Sequence, residues 1–344
     1  MALWALSVDC CWCQTGNTGL MERPRASSSL LLSSLETPFD NGNNNYLTTP
    51  VKVNYLPYGV DFPLGATGRC SNGLNIADTI AEQLGFDSFI TDFGIGGVTN
   101  FLDGVNYGSS GAGILDETGY LSRDLFTMNI QLYNHKMVAS RIAKQLGGED
   151  VAKKYLSKCI YVSDMGHNDY LNNYFLDTYN SSTLYTPDEY AQHLIKTYKT
   201  QLEELYSTGA RKIAVFGLIR VGFSFKQCSK RLMKKHKDAV FTYINSYEID
   251  SDVTNAGFKY TRESCCQVLE SGAVPCQSLS VPCANRSEYV YWDGAHFTEA
   301  KAWAFGKRAF KRQFPEDAHP YDISELVKLE LKDNDVNSVN LAQL

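Results

Sequence analysis

Short apolar segments alternate with longer amphipathic ones along most of this 344-residue chain, and that alternation restricts the fold more than any other feature. The candidate strands are Leu30–Ser33, Asp87–Thr91, Gly104–Tyr107, Cys159–Ser163, Lys212–Phe216 and Val240–Asn245. Between them the spacing predicts a helix over Gly73–Leu84, capped by Ser71 or Asn72, and another over Asp124–Leu146. Two more are expected at Pro187–Ser207, with proline in its first turn, and at Thr298–Arg312, with Thr298 as cap. Strand and helix in alternation build a mainly parallel sheet covered on both faces, an α/β/α domain of three layers. We expect that domain over residues 29–320, an atypical and poorly ordered segment at 1–28, and a tail at 321–344.

Composition narrows the function classes. With 44% hydrophobic residues the chain can bury a large core, and its 21 tyrosines and 17 phenylalanines also suit the rim of an apolar groove. A net charge of −6 argues against nucleic-acid binding. No apolar run has the length of a membrane span. The most basic stretch, Lys226 to Lys237, reads as a solvated helix face, with contact to an anionic surface as the rival reading. As a crossover between the strands at 212–216 and 240–245 the segment meets the minimum of roughly a dozen residues but leaves part of the sheet less covered. That predicts a less stable part of the sheet.

The chemistry-bearing residues lie in loops. Tyr291-Trp292-Asp293-Gly294-Ala295-His296-Phe297-Thr298 sets an acid three residues before an imidazole, just ahead of a helical pattern. That spacing lets the carboxylate reach the ring, fix its tautomer and stabilise the imidazolium. Alone, the same residues read more readily as a helix cap, Asp293, and a solvated histidine, because an acid three residues before a histidine is common by chance. Asp164-Met165-Gly166-His167-Asn168-Asp169 follows the strand at 159–163, where active sites of open α/β sheets collect. Asn168 can offer a side-chain N–H to a developing oxyanion, or Asn168-Asp169 can be a plain turn. Asn106 to Gly113 is a Gly-rich loop whose N–H groups can serve the same purpose, or whose glycines serve only tight geometry.

Taken together and in this order, these segments resemble the blocks of the GDSL esterase/lipase family, the SGNH hydrolases, and within it the plant branch. Asp40-Asn41-Gly42-Asn43-Asn44 resembles the stretch after the family's nucleophile, and Asn106 to Ile114 its second block, with Gly111 as oxyanion glycine. Gly166-His167-Asn168-Asp169 resembles the third, with Asn168 as a second oxyanion donor, and Asp293 to His296 the last. The resemblance runs from Phe39 to about Phe314 and implies a flavodoxin-like SGNH fold, acyl transfer on carboxylic esters of lipid or other acyl type, no metal or organic cofactor, and a small-molecule or lipid ester as partner.

The departure falls at the nucleophile. Where the family pattern has Gly-Asp-Ser, this chain has Leu35-Glu36-Thr37, followed by Pro38. A threonine hydroxyl can attack a carbonyl, but its methyl restricts the rotamer and crowds the approach. Proline after it biases the backbone toward extended geometry. The sequence therefore predicts impaired hydrolysis, with an ester-binding pseudoenzyme on the same scaffold as the alternative.

The N-terminal region differs in character from the rest. Residues 1–25 hold Cys10, Cys11 and Cys13 and two of the four tryptophans, with little periodicity, and Met1–Val8 makes a poor secretory signal. Of the ten cysteines, Cys265, Cys266, Cys276 and Cys283 cluster ahead of the Asp293 loop. Disulfides tying that loop to the body fit them better than zinc. Asn180-Ser181-Ser182 and Asn285-Arg286-Ser287 are glycosylation sequons. The family resemblance implies secretion.

Overall fold

The computed structural model describes residues 30–35, 37–94, 101–219, 225–255, 257–269 and 274–331. The strands are β1 (Leu30–Leu35), β2 (Thr91–Asp92), β3 (Val105–Asn106), β4 (Ile160–Asp164), β5 (Lys212–Phe216), β6 (Val240–Ile244), β7 (Tyr260–Ser264), β8 (Tyr289–Tyr291) and β9 (Ala318–His319). Seven of them form one sheet in the order β2-β3-β1-β4-β5-β6-β9, parallel throughout except for β9 against β6. β7 and β8 pair separately. From β1 the chain builds outward to β2 and β3 on one side, then returns to add β4, β5 and β6 on the other. The loops that follow β1 and β4 therefore face each other across a topological switch point, where such sheets bind ligands.

The helices are α1 (Ile76–Gln83), α2 (Met128–Leu146), α3 (Glu149–Leu156), a short α4 (His167–Asp169) that runs into a π-turn at Tyr170–Tyr174, α5 (Ser181–Leu184), α6 (Pro187–Ser207), α7 (Lys226–Lys235), α8 (Ser246–Asn255), α9 (Glu299–Phe310) and α10 (Ile323–Lys328). Side chains of the central strands alternate between two cores. Tyr161, Ile213, Val215 and Phe241 enter the cluster with α2, α3, α6 and α7. Ile160, Val162, Ala214, Phe216 and Ile244 enter the one with α1, α9 and α10. That parity is what makes three layers from one sheet. A smaller cluster joins Tyr58, Cys70 and Trp292 to cystine sulfurs behind the Asp293 loop.

Several expected boundaries move. The first helix begins at Ile76 rather than Gly73, because Asn75 is its cap: Asn75 Oδ1 accepts from Asp78 N at 3.0 Å, and Asp78 Oδ2 accepts from Asn75 N at 3.0 Å. Ser71 and Asn72 are used elsewhere; Asn72 Oδ1 accepts from Glu299 N at the start of α9. α2 starts at Met128, not Asp124, since the preceding turn is held by Phe126 N donating to Ser109 Oγ. The second strand is Thr91–Asp92 instead of 87–91. The basic crossover does cover the sheet: Phe225, Cys228 and Leu232 of the α7 region are fully buried. That removes the physical reason for a less stable patch. The stretch from 321, read as a tail, opens as part of the body, with Ile323 and Leu326 fully buried. The expectations for residues 1–28 and for Glu36 lie outside the described residues.

Candidate active site

Asp293 and His296 sit in the turn between β8 and α9. The turn is closed by Trp292 N donating to His296 O at 2.8 Å, with the Trp292 ring fully buried beneath. Thr298 then caps α9, its Oγ1 accepting from Lys301 N. This local geometry aims the imidazole at the carboxylate: His296 Nδ1 lies 2.7 Å from Asp293 Oδ2. Asp293 Oδ1 accepts from Ala295 N at 2.9 Å and His296 N at 2.8 Å. The carboxylate is fully buried while the ring is 15% exposed, so the acid is sheltered and the base open to a substrate. Burial alone pushes the Asp293 carboxyl up. The charge and hydrogen bond of His296, with donors from Tyr58 and Ala295, outweigh burial and hold it below its ordinary value.

Tyr58 was not visible as a site residue in the sequence. Its hydroxyl donates to Asp293 Oδ2 at 2.6 Å and accepts from Cys276 N at 3.1 Å. Cys276 is bonded to Cys266, and Cys265 to Cys283. The cystines therefore close one loop upon itself rather than tying it covalently to the body. The loop reaches the site through hydrogen bonds, among them Cys266 N to Trp292 O at 2.8 Å. No group of three or more metal-binding side chains is found among the described residues.

Thr37 opens a 3-10 turn, Thr37–Phe39, just beyond the C-terminal end of β1. Its side chain lies outside the described residues. Its neighbour Pro38 lines a narrow cleft together with Cys70, Ser71, Asn75 and His296. Pro38, the residue after position 37, and His296 thus border the same opening.

Of the two oxyanion candidates, Asn168 bonds the residue that follows Gly111. Asn168 is buried and donates from Nδ2 to Ala112 O at 2.9 Å, while its Oδ1 accepts from Asn172 Nδ2 at 2.7 Å. Gly111 precedes Ala112 with φ +88°, a left-handed conformation that favours glycine. A chain of contacts links this corner to the cleft: Cys70 Sγ, which lines it, lies 3.5 Å from Ser110 Oγ, the residue before Gly111. The structure therefore brings Pro38, the residue after position 37, to the cleft that His296 lines, and joins Asn168 to the residue that follows Gly111.

Comparison with known proteins agrees with this arrangement. Residues 58–309 match the GDSL-like lipase/acylhydrolase family, a span that includes the Gly111, Asn168 and Asp293–His296 segments. Two GDSL esterase/lipases of Arabidopsis thaliana are each 41% identical to the chain over 324 residues, covering 84% of it and 90% of the relative. A third from the same plant is 40% identical over 323 residues, covering 84% and 89%. With three layers, a mainly parallel sheet and a match to the family over residues 58–309, the chain belongs to the GDSL lipase/acylhydrolase family, whose chemistry is that of carboxylic ester hydrolases.

Proposed function

We propose that this chain hydrolyses lipid or other acyl esters by acyl transfer to the hydroxyl at position 37, at a rate well below that of a serine enzyme. The observation that carries the reading is the 2.7 Å pair of His296 and buried Asp293, opening on a cleft that Pro38 also lines. In the first step the Thr37 oxygen bonds to the ester carbonyl carbon and His296 Nε2 takes the hydroxyl proton. Asp293 keeps the proton on Nδ1 and stabilises the imidazolium. The Gly111 N–H, Asn168 Nδ2 and the Thr37 N–H are the donors proposed for the tetrahedral oxyanion. Collapse expels the alcohol, which receives the proton from His296. Water then attacks the acyl-enzyme by the same route in reverse. The methyl of threonine crowds that approach, and this is the physical ground for a slow rate.

We also propose that the protein works in an oxidising, extracellular setting. The two cystines support this, as do the exposed sequon residues Asn180 and Asn285. No described helix is long and apolar enough to cross a membrane.

Hydrolysis of p-nitrophenyl butyrate tests the reading. Thr37→Ser is expected to raise kcat/KM by about tenfold or more, and His296→Ala to remove the activity of both forms, a loss on the order of 10³-fold or greater. Activity that survives His296→Ala overturns the mechanism. If neither the chain nor Thr37→Ser turns over the ester, yet both bind it, the scaffold is a binding protein.

A further inference from the structure

Two fully buried carboxylates that take no part in the proton transfers grip the Gly111 loop from opposite sides. On the upstream side Asp40 Oδ2 accepts from Ser110 N at 2.9 Å and from Ser110 Oγ at 2.8 Å. Its Oδ1 accepts from Gly42 N and Asn43 N, which fixes it to the segment that follows position 37. On the downstream side Asp169 Oδ2 accepts from Ile114 N at 2.7 Å. Asp169 Oδ1 accepts from Leu115 N at 3.1 Å and Thr118 Oγ1 at 2.6 Å. A side chain at position 113 would forbid this, because a Cβ on Gly113 would stand 2.6 Å from Asp169 Oδ1. Gly111 and Ala112 lie between the two anchors, and Asn168 binds Ala112 O from the residue next to Asp169.

We propose that Asp169 and Asp40 are positioning residues that hold the Gly111 N–H and the Asn168 amide in fixed relation to each other and to the segment carrying position 37. The proposal rests on the acyl-transfer reading for what those donors do. The clamp itself can be tested without turnover. Each carboxylate spends its oxygens on several donors at once, so it sets both the distance and the angle of the loop. One hydrogen bond would leave it free to pivot. Ionised carboxylates bond amide N–H groups more strongly than neutral acceptors do. Asn at position 169 fills the same volume but replaces one acceptor oxygen with an NH2 group that faces existing donors.

The experiment uses the full chain carrying Asp169→Asn and, as a milder change, Thr118→Val, which removes only the hydroxyl donor. The first readout is amide exchange at Ile114 and Leu115, compared with amides of β5. The second is kcat and KM for p-nitrophenyl butyrate, in the native and the Thr37→Ser backgrounds. We expect exchange at Ile114 and Leu115 to quicken about tenfold or more in Asp169→Asn, and less in Thr118→Val, with β5 unchanged. We expect kcat to fall on the order of 100-fold in Asp169→Asn, the usual effect of a donor displaced by about an ångström, with KM nearly constant. Unchanged exchange at the two amides overturns the clamp. So does faster exchange everywhere, or a fall in kcat/KM carried by KM, because both describe a residue that serves stability or binding. Should Asp169→Asn fail to fold, Thr118→Val decides by the same criteria. If no ester is hydrolysed in any background, the exchange result still decides the clamp and the acyl-transfer reading alone is lost.

Discussion

Asp293 and His296 come from a single turn, whereas Gly111, Asn168 and the position-37 backbone are delivered by segments that follow three different strands. The first group is oriented by its own backbone: two amides of the turn bind the Asp293 carboxylate, and the ring follows three residues on. The second is oriented by contacts reaching across 70 residues, from Asp40 to Ser110, and 55 residues, from Asp169 to Ile114. The electrostatics differ in the same way. Asp293 faces an imidazole that can carry charge, and its carboxyl is held below the ordinary value despite full burial. Asp40 and Asp169 receive only amide and hydroxyl donors. Burial wins there, raising Asp40 and pushing Asp169 up to about 6. A neighbour able to carry positive charge favours the ionised form of a buried acid, and dipoles offset burial only in part.

The comparison breaks most visibly at the local pair. Asp293→Asn leaves the turn nearly isosteric but removes the partner that fixes the tautomer, and kcat is expected to fall about 10³–10⁴-fold. A loss under tenfold, measured with the same ester, would mean that the ring is oriented by something else. Next in size is the cystine loop. Replacing Cys266 and Cys276 together with alanine releases a loop of sequence separation 10 and is expected to cost about 2–3 kcal/mol, read as a drop in the unfolding midpoint.

The smallest effect is the most diagnostic. Tyr58→Phe removes one donor from Asp293 Oδ2 and is expected to cost about 1.5 kcal/mol, the worth of a hydrogen bond to a charged group. Because the folded carboxyl is depressed, its stabilisation is present above about pH 4, the unfolded value, and is lost as pH falls through the lower folded value. Tyr58→Phe moves that loss to higher pH. Asp169 carries the opposite sign: its contribution is full below about pH 4 and lost as pH rises through about 6. Glu117, Tyr170 and Tyr190 are its titratable neighbours. Urea unfolding at about pH 2, 3, 4, 5.5 and 7 separates the two limbs, the Asp293 limb lying below about pH 4 and the Asp169 limb above it. No change of the acid limb in Tyr58→Phe would remove the phenol from the account.

The same contrast explains what the sequence disclosed. Asp293 and His296 were legible because their relation is a spacing, and Gly111 and Asn168 because each sits in a motif. Pro187–Ser207 was bounded correctly with the help of the proline in its first turn, to which the structure adds a Thr186 cap, and β5 by its apolar run. α1 was misplaced because Ser71, Asn72 and Asn75 are all good caps, and tertiary bonds to Asp61 and Glu299 decide which are free to act as one. Tyr58 gave no signal: a tyrosine in a loop acquires its role only from a residue 235 positions away. Nor could the pairing of four clustered cysteines be read, since three connectivities are open to them. Asp169 looked like part of a turn, and its grip on Ile114, Leu115 and Thr118 is a property of the assembled sheet.

The phenol of Tyr58 also fixes an order of completion. The turn's own backbone gives Asp293 two donors, from Ala295 N and His296 N. The acid gains its outside donor only once the early loop has wrapped over that turn, with Cys276 NH presented to the same oxygen. Reducing the neighbouring cystine would leave Asp293 and His296 on their own turn but loosen Cys276, whose N–H holds the phenol. The imidazole would then hang from a carboxylate that has lost its outer brace.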